Sequence, residues 1–212
     1  MRSLNYLYDP LCGWCYAATP GIARLRAAGV TVTLSPTGLF SDPGRVMTTD
    51  FAAYAWKNDQ RIAAMTGQIF TEAYRRQVLQ APGTAFDSTA ATLALTAVAM
   101  DEPEREVDAL RVLQEARYVS GRDITDLATV GAILAEAGFQ KAAAALNAQS
   151  PALSSANAAR VAAGAAKVRQ LGASGVPTLV LVDGPIQRLL DGGVHYGPPE
   201  ALLAPFHAAA AA

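Results

Sequence analysis

From Thr48 to Ser150 the chain carries no strand signal, while strands and helices alternate on both sides of that block. This interruption limits the fold more than any other feature. Upstream, Ser3 to Tyr8 alternates apolar and polar residues and stops at Asp9-Pro10, where proline cannot join a ladder, so it reads as a strand. Trp14 to Ala28 has helix-forming composition and ends at Gly29, a natural cap. Val30 to Leu34 reads VTVTL, a second strand. Downstream, Ser154 to Leu171 is an Ala-rich helix closed by Gly172, and Thr178 to Val182 is a strand of the fully buried kind. Asp183-Gly184 signals a hairpin, Ile186 to Leu190 the return strand and Pro199 to Ala210 a closing helix. The Ala tail at 208–212 is expected to fray. The order is βαβ, helical block, αββα. It predicts an α/β unit made of residues 1–47 and 151–212, with residues 48–150 as an all-helical insertion.

Within the block, Asp87-Ser88 is expected to cap an Ala-rich helix running to Met100, and Glu102-Pro103-Glu104 suits a first helical turn. The helix after it sets Val107, Leu110, Leu113, Arg117 and Tyr118 along one face. Another runs from Thr125 to Gly138, and Trp56, Phe70 and Tyr74 are the expected core aromatics.

Composition removes several function classes. With 212 residues, 51% of them hydrophobic, the chain can bury a core without disulfide staples. Its 17 Lys+Arg against 18 Asp+Glu leave no positive field for nucleic acid. The most apolar stretch, Thr89 to Met100, falls well short of the roughly 20 residues of a membrane span. The N-terminus lacks the basic start, apolar run and cleavage site of a secretory signal, so a cytoplasmic location and no membrane partner are expected. Low charge and Ala-rich helices permit a homodimer.

That compartment keeps thiols reduced unless they are catalytic or metal-bound, so the two cysteines point to chemistry. Cys12-Gly13-Trp14-Cys15 stands where the first strand gives way to the first helix. A three-residue separation puts both sulfurs on one side of the first turn, and Cys12 meets free backbone N–H groups and the helix dipole, which stabilise a thiolate. Such sites lower a thiol pKa from about 8.5 into roughly the 3.5 to 7.5 range. Cys12 is then the attacking sulfur, in an exposed loop, and Cys15, better shielded, resolves the mixed disulfide. Half a zinc site would need two more ligands, and only His195 and His207 exist, so no metal is expected. Val176-Pro177-Thr178 is the second element. Taken alone its peptide bond defaults to trans, but this topology lays the Thr178 strand beside the first one, so the turn can meet the CxxC loop.

Tyr8-Asp9-Pro10-Leu11-Cys12-Gly13-Trp14-Cys15-Tyr16, with Gly175-Val176-Pro177-Thr178 and the helical insertion between, resembles the DsbA-like branch of the thioredoxin superfamily. More closely, it looks like the cytoplasmic FrnE-type group of predicted protein-disulfide isomerases, with Gly121-Arg122-Asp123-Ile124 falling late in the insertion. The resemblance implies a thioredoxin-like fold, Cys12 as nucleophile, Cys15 as resolving thiol, and Val176-Pro177 as a substrate-pairing turn with a cis bond. The Gly-Trp dipeptide replaces the Pro-His of periplasmic DsbA, whose histidine makes its thiol very acidic. Reduction, isomerisation or thiol repair suits the cytosol better than oxidation.

Expected partners are disulfide-containing proteins or glutathione, with a cytosolic thiol reductant to recharge the site. No bound cofactor is expected, glutathione entering only as a redox partner. Gly13 and Trp14 are candidate substrate-contact residues, Trp14 also suiting packing against the insertion. Asp9 reads first as a loop-closing residue and second as a modulator of proton transfer to Cys15. His195, in Gly193-Val194-His195-Tyr196-Gly197, reads as a surface residue. Two alternatives stand beside the oxidoreductase. One is a glutathione-dependent transferase or isomerase of the kappa or hydroxychromene carboxylate isomerase type, which resemble the same inserted architecture but carry serine at the Cys12 position. The other is a redox-independent chaperone.

Overall fold

The computed structural model describes residues 2–207. Four strands form one mixed sheet in the order β2-β1-β3-β4. Strand β1 (Ser3–Tyr8) is central, parallel to β2 (Val32–Pro36) and antiparallel to β3 (Thr178–Asp183), which turns back into the edge strand β4 (Ile186–Leu189). Both neighbours of β1 are long-range, and Leu4, Tyr6, Leu7 and Tyr8 are completely buried. The register sets Leu7 opposite Thr178, so the turn ahead of β3 comes to the same end of the sheet as the loop after β1.

Helix α1 (Gly13–Ala27) packs Cys15, Tyr16, Ala18, Ile22 and Leu25 inward and ends before Gly29, whose φ of +85° favours glycine. Next come α2 (Thr49–Thr66), capped by Thr48, and the short α3 (Glu72–Tyr74), which widens into a π turn at Arg75–Leu79. Helices α4 (Thr89–Asp101), α5 (Glu106–Tyr118), α6 (Leu127–Glu136) and α7 (Gln140–Ala148) complete the block. The return to the sheet is α8 (Pro151–Gln170), which starts earlier than the Ala pattern suggests because Ser150 caps it and Pro151 fills its first position. At Gly164, α8 lies so close to β2 that a Cβ there would collide with the Pro36 carbonyl oxygen. A 3-10 turn at Val194–Tyr196 and α9 (Pro199–His207) end the described chain. The remainder of the predicted closing helix and the Ala tail lie outside the described residues. This is the predicted fold class, a thioredoxin-like βαβ…αββα arrangement with helices between its halves.

Aromatic rings join the block to α1. Tyr16 of α1 stacks on Tyr118 of α5 at 4.7 Å, and Phe70 and Tyr74 pack edge-on around Tyr118 at 5.0 Å each. Phe70 and Tyr74 are buried as expected, whereas Trp56 is only half-buried, with Arg75 lying 5.2 Å from its ring centre. Asp87 caps α4 through the Thr89 N–H, but Ser88, expected to share that task, does not. Its hydroxyl instead donates to Asp9 at 2.9 Å, because a buried carboxylate is the stronger acceptor.

Candidate dithiol site

Cys12 is the N-cap of α1, its carbonyl accepting the Tyr16 N–H at 3.0 Å, and its thiol stands where the first N–H groups of the helix are unpaired. Cys15 lies one turn on and is fully buried, and both cysteines are free. Burial pushes the Cys15 thiol well above its ordinary range, and contact with Cys12 pushes it further. The Cys12 thiol points at the Val176 carbonyl oxygen across 3.8 Å, and the Val176–Pro177 peptide bond is cis. Cys12, Cys15, Val176 and Pro177 thus come together at the end of β1 and β3, with Gly13, Trp14, Val176 and Pro177 half-buried around them.

Cys12 is less open than a loop cysteine should be, at 7% exposed. The reason is Asp9, which ties the loop down from below. Its carboxylate accepts from Leu11 N at 2.9 Å, Phe40 N at 3.0 Å and the Ser88 hydroxyl, joining the CxxC loop, the segment after β2 and the start of α4. Burial raises its pKa even though all three donors favour the charged form. Loop closure is therefore what Asp9 does in this structure.

Four residues at the site escape sequence reasoning. The Tyr6 hydroxyl, from β1, donates to the Cys15 carbonyl at 3.1 Å. From α5, Tyr118 donates to the Leu11 carbonyl at 2.8 Å, immediately before Cys12. Tyr196 donates to the Trp14 carbonyl at 2.9 Å, its ring 5.4 Å from the indole, so Trp14 packs on the C-terminal turn rather than on the helical block. Asp59, from α2, explains Gly13: a Cβ there would stand 2.6 Å from Asp59 Oδ1. Arg117, in register with the apolar positions of α5, is the visible hint of buried polarity. It is 1% exposed and lies over the Tyr74 and Tyr118 rings. Asp59 itself leaves no signal.

His195 corrects an expectation. It is 4% exposed, and neither ring nitrogen has a hydrogen-bond partner among the described residues. Gly21 lets the 3-10 turn approach α1 closely enough to bury it, since a Cβ there would come 2.9 Å from the His195 carbonyl oxygen. Burial lowers its pKa to about 4. Among the described residues no His, Cys, Asp and Glu cluster could hold a metal ion.

A family model described as a DSBA-like thioredoxin domain matches residues 4–196. Among solved structures, the chain is similar to the cytosolic disulfide reductase DsbM from Pseudomonas aeruginosa, with 32% identity, a TM-score of 0.85 and 96% of each chain covered. The same reductase with GSH matches at 30% identity and a TM-score of 0.83, again over 96% of each chain. A candidate protein disulfide isomerase from Nitrosomonas europaea matches at 28% identity and 0.76, covering 96% of this chain and 94% of that one. No curated protein matches the sequence.

Proposed function

Because the chain belongs to the DSBA-like thioredoxin domain family, we propose that it is a thiol-disulfide oxidoreductase working in the reducing direction through Cys12 and Cys15. The observation that carries this is the position of Cys12 at the start of α1, facing the Val176 carbonyl, with Cys15 one buried turn behind. The Cys12 thiolate attacks one sulfur of a substrate disulfide. The S–S bond breaks, Cys12 is joined to one half, and the other half leaves as a thiolate that takes a proton. Cys15 then gives up its proton and attacks the Cys12 sulfur, releasing the second thiol and closing a Cys12–Cys15 disulfide. Its raised pKa keeps Cys15 protonated until that step, so Cys12 is the thiol that meets substrate.

The half-buried Val176 offers its carbonyl for pairing with a peptide N–H beside the attacked bond, while Gly13 and Trp14, also half-buried, follow Cys12 directly in the chain. A low-molecular-weight thiol of the glutathione class, or a second dithiol protein, reopens the disulfide. Support for this partner and for a cytosolic setting comes from the likeness to DsbM, a cytosolic reductase whose structure was also solved with GSH. No described helix is long and apolar enough to cross a membrane. The test is insulin-disulfide reduction with glutathione as donor. Cys12→Ser should abolish turnover and Cys15→Ser should accumulate a mixed disulfide visible by mass spectrometry. Wild-type rates in both variants would end this reading.

A further inference from the structure

Cys15 is fully buried, yet its sulfur has to carry negative charge in both halves of the cycle. It attacks the Cys12 sulfur when a mixed disulfide is resolved, and it is the leaving group when a donor thiol reopens the Cys12–Cys15 disulfide. An anion in so dry a place is costly unless a hydrogen-bond donor meets it. Cys12 beside it opposes that charge, as does the Asp9 carboxyl, whereas the Asp9 backbone N–H favours it. Around the motif, Tyr118 commits its hydroxyl to the Leu11 carbonyl and Tyr196 to the Trp14 carbonyl. Two hydroxyls reach Cys15 itself, both at its carbonyl oxygen, Tyr6 at 3.1 Å and Thr19 at 3.0 Å. Thr19 has a single hydrogen and lies closer to another acceptor, Gln114 Oε1, at 2.7 Å. Tyr6 stands on the central strand β1, completely buried. Burial, then the charges of Cys15 and Cys12, hold the proton on its hydroxyl, and the neighbouring Cys15 side chain adds a hydrogen bond to them. Tyr6 is therefore a donor and not a base.

We propose that Tyr6 is the hydrogen-bond donor to the Cys15 sulfur: its O–H turns from the carbonyl of Cys15 to the sulfur of the same residue when that sulfur carries negative charge. A hydrogen bond to an anion is stronger than one to a neutral carbonyl, so the turn is favourable. Thr19 stays within reach of the carbonyl, and that oxygen is not left unpaired in the dry core. In the resolving step the Cys15 proton passes to solvent and the Cys15 thiolate attacks the Cys12 sulfur. The Cys12–Cys15 bond forms as the bond from Cys12 to the substrate breaks, and the electron pair leaves on the substrate sulfur. In the reopening step a donor thiolate attacks the Cys12 sulfur and the Cys12–Cys15 bond breaks. Its electron pair goes to the Cys15 sulfur, which then regains the proton that the donor thiol gave up. Tyr6 keeps its own proton throughout. The proposal rests on the thiol-disulfide reading above and adds to it a donor outside the CxxC motif.

Dithiobis(nitrobenzoate) separates the two cysteines, because its released thiolate is coloured. With reduced protein in slight excess, attack by Cys12 releases one coloured thiolate and leaves a mixed disulfide on Cys12, and attack by Cys15 releases the second. Stopped-flow absorbance should show two phases in wild type and only the first in Cys15→Ser. Tyr6→Phe, which keeps the ring stacked on Tyr8, should leave the first phase at the wild-type rate and slow the second several-fold. Tyr6→fluorotyrosine makes the hydroxyl a stronger donor at almost the same volume and should speed the second phase, which a merely structural hydroxyl would not do. A folded Tyr6→Phe whose second phase matches wild type overturns the proposal, and so does one in which both phases slow alike. Should Tyr6→Phe not fold, the fluorotyrosine protein decides, and a second phase at the wild-type rate overturns the proposal. The two readings fail separately. Wild type without a second phase would sink the thiol-disulfide reading, whereas a second phase indifferent to Tyr6 would sink this one alone.

Discussion

The Tyr118 hydroxyl donates a 2.8 Å hydrogen bond to the carbonyl of Leu11, so the last turn of α5 holds the residue that precedes the first cysteine. Both residues are buried. Tyr118→Phe keeps the ring on Tyr16 and leaves the Leu11 carbonyl unpaired in a dry site, which costs about 1–3 kcal/mol. A urea unfolding curve should show that loss, together with slower disulfide reduction because the Cys12 loop is no longer held. An unchanged midpoint would mean that the bond contributes nothing to the fold.

Gly13 is required by contact rather than by backbone conformation. Its Cβ position is 2.6 Å from Asp59 Oδ1 and 3.1 Å from Ile62 Cδ1. Gly13→Ala should destabilise the protein by about 1–3 kcal/mol through overpacking. In a double-mutant cycle, Asp59→Ala should recover part of that loss, because residues in contact are not additive. Strict additivity would show that the two do not meet in solution.

Burial of His195 sets a pH dependence with a defined sign. Its folded pKa of about 4 lies below the ordinary value of 6.5, so the native imidazole is neutral where the unfolded one takes a proton. Unfolding is therefore favoured by acid: this residue's contribution to stability falls as pH drops from about 6.5 towards about 4, by at most about 1.4 kcal/mol per pH unit. His195→Phe keeps a ring in the space and removes the titration. Denaturation of both proteins at a series of pH values should show the variant gaining on wild type only below neutrality. A constant difference across the series would contradict a buried neutral His195.

The elements nearest the chemistry were legible because each depends on local rules. Alternation in VTVTL, the stop at Asp9-Pro10, Gly29 after the first helix and Asp183-Gly184 between the last strands all mark elements that the structure contains. Boundaries moved where a cap or a neighbour intervened: β2 runs on to Pro36, and α8 begins at Pro151 rather than at Ser154. His195 and Ser88 were misread for one reason. A polar residue in a loop looks solvated in sequence, and only the partner that closes over it, Gly21 of α1 for the one and Asp9 for the other, makes it buried.

From the sequence alone follow the interrupted α/β pattern, the pair Cys12 and Cys15 at a strand-to-helix junction, and the meeting of that junction with the Val176-Pro177 turn. Periodicity, propensity and spacing are local, and the pairing of β1 with β3 follows from their order. Tertiary structure alone decides which buried polar groups surround the dithiol: Tyr6 beneath Cys15, Tyr118 on Leu11, Asp59 against Gly13 with Arg117 behind it. A helix's pattern says which face turns inward but not which element it meets, and what a buried carboxylate does depends on that neighbour.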